Sequence, residues 1–499
     1  MPSSLLAALL SGFCGAAPAA AQDARPLEQR VVEHTLENGW RFLILPRRAV
    51  PVVSFETTIG VGAVDEPIGS TGMAHMFEHM AFKGSDRVGT TDWEAERAAL
   101  ELLDQAEADL LRARARGDGP SVASAEAAFR QAQERADAYV LSEEFSRMLE
   151  DAGGTGTLNA LTSADETRYV VSLPANQVEL WCWLEAERFA RPVLREFQRE
   201  RDAVLEERER QVDSNPFGVL LEELALGAYR AHPYGRPVIG FPGDIAGYTR
   251  AEAERFFQRN YCARRLTTAI VGDVDPATLI PMLERYFAGV PAGTRPKPVT
   301  TVEPPQRGER RIEVEFPAGP SVAIAWHVPA LQDADTPAVE LAVRLLGHSR
   351  DSRLVRRLVR EDGTASAVET VARFGGDRYP SLALILAVPN SGVETGALEA
   401  AIYDEIRRLA QEGPGPGELE RALRVARVEH LRRLRDNAAV AAGLNESHVK
   451  TGDWRSFFRQ VERLEAVAAA DVQRVLRTLF RRSNRTVATL MPPPEEEEE

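Results

Sequence analysis

His75, Met76, Phe77, Glu78 and His79 read H-x-x-E-H, and this pentad restricts the fold more than any other feature of the chain. Residues four apart share one face of a helix, so the two imidazoles can serve a single Zn²⁺ only if the segment is helical. Glu78 then stands beside them as a base. The flanking pattern agrees. Met73, Met76, Phe77 and Met80 recur at the spacing of an amphipathic helix, Ser70 or Thr71 is placed to cap its start, and Gly84 to end it. Tetrahedral catalytic zinc takes three protein ligands and keeps one position open, so the third must come from a distant segment that folding brings over this helix.

The best source is 194–212. Phe197, Glu200, Val204 and Glu207 run at i, i+3, i+7 and i+10, which puts two carboxylates on the stripe that otherwise carries buried apolar residues. Burying them without a cation or donors is costly. Glu206 and Glu209 fall off the stripe and read as solvated surface charge. We take Glu207 as the metal ligand and Glu200 as a group supporting it.

The segments G-M-A-H-M-F-E-H-M-A-F-K-G (72–84), L-N-A-L-T-S-A-D-E-T-R-Y (158–169) and E-R-D-A-V-L-E-E (200–207) together resemble the pitrilysin-like, or insulinase-type, inverted-zincin metallopeptidases. The likeness is to the branch with mitochondrial processing peptidase and two-domain bacterial relatives. It implies an α+β fold of two homologous domains, each a mostly antiparallel sheet layered with helices, with two such chains closing into a chamber. It also implies a zinc endopeptidase acting on peptides or unfolded polypeptides, with one Zn²⁺ per chain held by His75, His79 and Glu207. Glu78 is then the catalytic base and Glu200 assists. Asn159 and Ala160 are implied to lie on an edge strand that pairs with extended substrate; the competing reading is a plain loop feeding a strand.

Two departures from the family pattern stand out. His79 and Glu207 are further apart than usual, and the excess matches a charged, Ala-rich segment at about 93–147. Its halves, 93–116 and 122–144, read as helices joined at Gly117, Asp118, Gly119 and Pro120, an inserted helical hairpin expected to project into solvent. Second, active members carry an Arg and a Tyr seven residues apart that hold substrate. Aligning on Gly363 places Val359 and Ser366 there, and Arg378 with Tyr379 is a poor substitute by spacing. In paired members the partner subunit supplies that Arg and Tyr, so a homologous partner in a heterodimer is expected, with a homodimer as the other arrangement. A non-catalytic or weakly active scaffold subunit of the same family is the alternative function.

With 499 residues the chain has room for two domains, and a formal charge of −15 argues against nucleic-acid binding. Residues 1–21 lack Asp, Glu, Lys and Arg, and the apolar run beginning at Leu5 leads to Ala19, Ala20 and Ala21. This reads as a secretory signal and makes the mature protein exported, in the periplasm. No other stretch is long and apolar enough to span a membrane. Cys182 and Cys262 then face an oxidising compartment; whether they pair is open, though Cys182 sits among Leu180, Trp181, Trp183 and Leu184, the usual setting of a packed thiol.

Alternating residues mark strands at 40–45, 52–59 and 169–173. The segment 256–273 has a weaker echo at 475–490, which indicates a duplicated unit. We therefore divide the chain into a zinc-binding domain at 28–290 carrying the insert, a Pro- and Gly-rich linker at 291–308, a homologous domain without the motif at 309–492, and an acidic tail at 493–499. His327 and His348 in the second half read as core or surface residues rather than ligands.

Overall fold

The alternating segments become strands of two sheets in the computed structural model, which describes residues 25–117, 119–294 and 297–494. The expected signal and the run Glu495 to Glu499 lie outside the described residues. The first half contributes β1 (Val32–Thr35), β2 (Arg41–Pro46), β3 (Val52–Ile59), β4 (Asn159–Thr162), β5 (Thr167–Pro174) and β6 (Leu266–Gly272). The second contributes β7 (Arg310–Glu315), β8 (Ser321–Val328), β9 (Ala365–Phe374), β10 (Ser381–Pro389) and β11 (Arg485–Met491).

The sheet orders are β1-β2-β6-β3-β5-β4 and β7-β11-β8-β10-β9. Omitting β1, the two are the same path. In each, one parallel pair (β2 with β6, β7 with β11) is followed by antiparallel neighbours down to an edge strand, β4 or β9. The echo in the sequence is the helix-to-strand passage into β6 and β11, the strand inserted second in each sheet. The fold is α+β, with two homologous units.

Period-two alternation places Phe42, Ile44, Val53, Phe55 and Ile270 on one face of the first sheet. There the helices Met73–Met80, Val178–Ala190, Phe197–Arg208 and Pro276–Phe287 cover them. Leu43, Leu45, Ala269 and Val271 point the other way, onto Val440, Leu444, Trp454 and Phe457 of the second half. Reciprocally, Leu220, Leu224 and Ala228 of the helix Pro216–Ala228 cover Ala323, Ala325, Leu384 and Ala488 of the second sheet. Each half thus closes the other's open face. A fully buried side chain the size of Leu444 is worth about 1.5–3 kcal/mol, so neither half keeps its stability if parted from the other. The linker is pinned as well. The Glu303 carboxylate accepts backbone N–H groups from Arg230, Ala231 and His232 at 2.9–3.0 Å.

The insert corrects the expectation of a solvated projection. Its helices Trp93–Arg116 and Gly119–Asp137 pack Ala99, Leu100, Leu103, Ala132 and Ala136 together with Val193, which lies just before the Phe197–Arg208 helix. The second helix begins and ends earlier than expected, and 144–149 form a separate short helix. Glu96, 0% exposed, pairs with Arg195, 1% exposed, at 2.8 Å. Arg195 also donates to the carbonyls of Ser85 and Val88 at 2.7 and 2.8 Å, and to that of Lys83. Glu107 accepts from Gln198 at 3.2 Å and Arg201 at 2.9 Å. The hairpin therefore braces the Phe197–Arg208 helix along its outer side. Removing one partner of a buried ion pair strands the other, so Glu96→Ala is expected to cost about 3–5 kcal/mol in urea denaturation, far beyond a surface substitution.

Candidate metal centre

The helix Met73–Met80 starts at Gly72, not at Ser70 or Thr71. The buried Glu66 carboxylate takes the N–H groups of Gly72 and Ala74 at 2.7 and 2.6 Å, while the Thr71 hydroxyl is engaged with Asp244 at 2.6 Å. A carboxylate at a helix N-terminus satisfies open donors and complements the dipole, which leaves no role for a Ser or Thr cap. Gly72 has φ +89° and Gly240 φ +93°, and a Cβ on either would fall 2.8 Å from the other's Cα. Two glycines are required for that backbone crossing. The helix ends at Met80, and Gly84 (φ +87°) belongs to the turn beyond it.

On this helix His75 Nε2 lies 3.7 Å, and His79 Nε2 3.3 Å, from Glu207 Oε2 of the Phe197–Arg208 helix. All three donor atoms fall within 4.8 Å of one another. A tetrahedral ion with bonds of 2.0–2.1 Å has ligand-to-ligand edges of about 3.3–3.4 Å; the His79–Glu207 edge matches that spacing, the His75–Glu207 edge is longer by a few tenths of an ångström, and the nitrogen and oxygen donors are those zinc usually takes. Burial, aided by the nearby His79, holds His75 at about 4, in the neutral form that can donate a lone pair. Glu200 Oε2 lies 3.3 Å from His79 Nδ1, and Glu200 Oε1 2.6 Å from Lys83 Nζ. Burial pushes the Glu200 carboxyl up, but hydrogen bonds from His79 and Lys83 outweigh it and hold the group at about 2. Glu206 and Glu209 are exposed.

Glu78 is partly exposed beside the two imidazoles. Burial raises its carboxyl above the ordinary range, with Thr162 and His79 pulling it part of the way back. Thr162 ends β4, which pairs only with β5 among the described residues and leaves its other edge unpaired. Asn159 is exposed on that strand and Ala160 buried. That strand therefore reaches Glu78 through Thr162.

Residues 138–241 match the family model described as insulinase (peptidase family M16), and residues 247–425 the one described as the peptidase M16 inactive domain. The chain belongs to peptidase family M16. The first match begins late in the insert and contains Glu200 and Glu207 but not the histidines. Among relatives, zinc protease PqqE of Helicobacter pylori is 24% identical over 92% of both chains. The mitochondrial-processing peptidase subunit beta of Dictyostelium discoideum is 24% identical over 92% of this chain and 88% of its own. The fold matches the crystal structure of a protease from Helicobacter pylori with a TM-score of 0.77, at 24% identity over 93% of this chain and 99% of that one.

Elsewhere in this M16 chain, Val359 lies in the helical turn Val355–Glu361 and Ser366 on β9, where its hydroxyl donates to the Val388 carbonyl at 3.2 Å. Arg378 is committed to the contact between halves, 3.5 Å from Asp65 Oδ2 and 3.3 Å from the Asp165 carbonyl. The Tyr379 hydroxyl accepts the Val299 N–H at 2.9 Å. His327 and His348 meet the Ala228 carbonyl at 3.1 Å and Glu429 at 2.8 Å. Cys182 and Cys262 are buried and unpaired. No helix among the described residues is long and apolar enough to cross a membrane.

Proposed function

We propose that this chain is a zinc-dependent endopeptidase that cleaves peptides or unfolded polypeptides inside a chamber, and that it is the zinc-bearing subunit of a heteromeric enzyme. The convergence of His75, His79 and Glu207 beside Glu78 carries the reading. Zinc in that site supplies Lewis acidity and brings the pKa of water down to about 7. Glu78 takes a proton from the attacking water and delivers it to the leaving amine. Glu200 orients His79 through Nδ1. Asn159 and Ala160 on the open edge of β4 pair with the backbone of an extended substrate, which holds peptides irrespective of their side chains. The apolar run at 1–21 supports reading it as a secretory signal, with the mature chain exported to the periplasm.

Val359 and Ser366 stand where active members carry the substrate-holding Arg and Tyr, so a homologous partner supplies them. The same observation supports a second reading, a scaffold subunit. Unstructured peptides incubated with the chain alone and with the co-purified partner, with and without chelator, separate the two. The heteromeric enzyme predicts weak hydrolysis alone, a marked gain with the partner, and loss with chelator in both. No hydrolysis in either sample favours the scaffold.

A further inference from the structure

Lys83 is a buried cation beside the candidate metal site for which the chemistry above has no use. Its side chain is 9% exposed and its ammonium reaches Glu200 Oε1 at 2.6 Å, Glu196 Oε2 at 3.2 Å and Glu143 Oε1 at 3.6 Å. The other oxygen of Glu200 faces His79 Nδ1 at 3.3 Å, and the far nitrogen of that ring, Nε2, is the one 3.3 Å from Glu207. With Oε1 held by Lys83, the carboxylate plane is fixed and Oε2 is left to accept from Nδ1–H. That hydrogen bond puts the proton on Nδ1 and frees the lone pair of Nε2. Lys83 is itself held. Its carbonyl accepts from Arg195, the arginine buried against Glu96 of the hairpin, and its N–H donates to the Met80 carbonyl at 3.1 Å.

We propose that Lys83 is a positioning residue for the metal site, acting through Glu200 on the orientation and tautomer of His79, and that the inserted hairpin secures it through Arg195. This rests on the zinc reading of His75, His79 and Glu207. Lys83 pairs with Glu200, Glu196 and Glu143 and with none of those ligands, so its effect must pass through Glu200. A lysine that merely neutralises three nearby carboxylates would affect stability without that dependence.

The test is a double-mutant cycle on zinc affinity, measured by competition with a chromophoric chelator for the full chain, Lys83→Met, Lys83→Arg, Glu200→Gln and Lys83→Met/Glu200→Gln. Thermal melts of the zinc-free proteins report folding. Lys83→Met is expected to weaken zinc about tenfold, Lys83→Arg to recover most of that, and Glu200→Gln to cost a similar factor. In the Glu200→Gln background the Lys83→Met penalty should shrink to about twofold or less. Lys83→Met with unchanged affinity, or two penalties that simply multiply, overturns the proposal. Failure of the unmutated chain to bind zinc is a different result and removes the metal reading itself. Should Lys83→Met not fold, the same cycle is run with Lys83→Gln, with and without Glu200→Gln, in a Glu196→Gln background, so that Glu196 is not left as an unpaired carboxylate.

Discussion

Glu78→Gln is expected to bind one zinc per chain and to lose about a thousandfold in peptide hydrolysis, the middle of the range for removing a general acid–base group. The amide keeps the size and polarity of the carboxyl but cannot take up the proton of an attacking water. Glu78 lies on the same helix as both histidines without being one of the three converging donors. Metal content should therefore be untouched while the rate collapses, and elemental analysis alongside single-turnover kinetics checks both. A Gln variant of full activity would remove Glu78 from the chemistry, and one that lost zinc would make it a ligand.

His75→Ala is expected to abolish stoichiometric zinc. Outer-shell substitutions cost about ten- to a hundredfold in affinity, so loss of one of only three protein ligands should exceed about a hundredfold. His75 is 8% exposed and held neutral, so in the folded chain it is already in its ligand form. The Ala variant should remain folded, because the helix start depends on Glu66 and on the Gly72–Gly240 crossing rather than on His75. Metal analysis after dialysis, with circular dichroism as the folding control, decides it; full zinc occupancy in His75→Ala would place the ion elsewhere.

Much of the site was legible because the spacings are helical. Two histidines four apart must share a face, and a carboxylate on an apolar stripe must meet a cation or a donor, which singled out Glu200 and Glu207. The same rule, applied to the insert, would have found its brace. Glu96, Leu100, Leu103, Glu107 and Leu110 form one stripe, and its two carboxylates meet Arg195 and the pair Gln198 and Arg201. The insert read as solvated because alanines, not large side chains, carry much of its inner surface, and a small apolar residue gives little contrast in a pattern. Alternation marks the strand 52–59 with the bounds the structure has. Its burial on both faces is not legible, since the second face, with Ser54, Glu56 and Thr58, is met by the helix Asn437–Thr451, whose Asn445 donates to the Glu56 carbonyl at 2.6 Å. Glu66 as the helix cap and Lys83 as the holder of Glu200 are single residues whose partners depend on how a turn folds, and periodicity does not report that.

The central claim is that one ion is gripped by two histidines of one helix and a glutamate of another. Crystals of the full chain grown with zinc, with diffraction recorded on both sides of the zinc absorption edge, test it most directly. The account predicts a single strong anomalous peak about 2.0–2.2 Å from His75 Nε2, His79 Nε2 and a Glu207 carboxylate oxygen, with a fourth side open. A peak held by other residues, or Glu207 turned away from the ion, would contradict it.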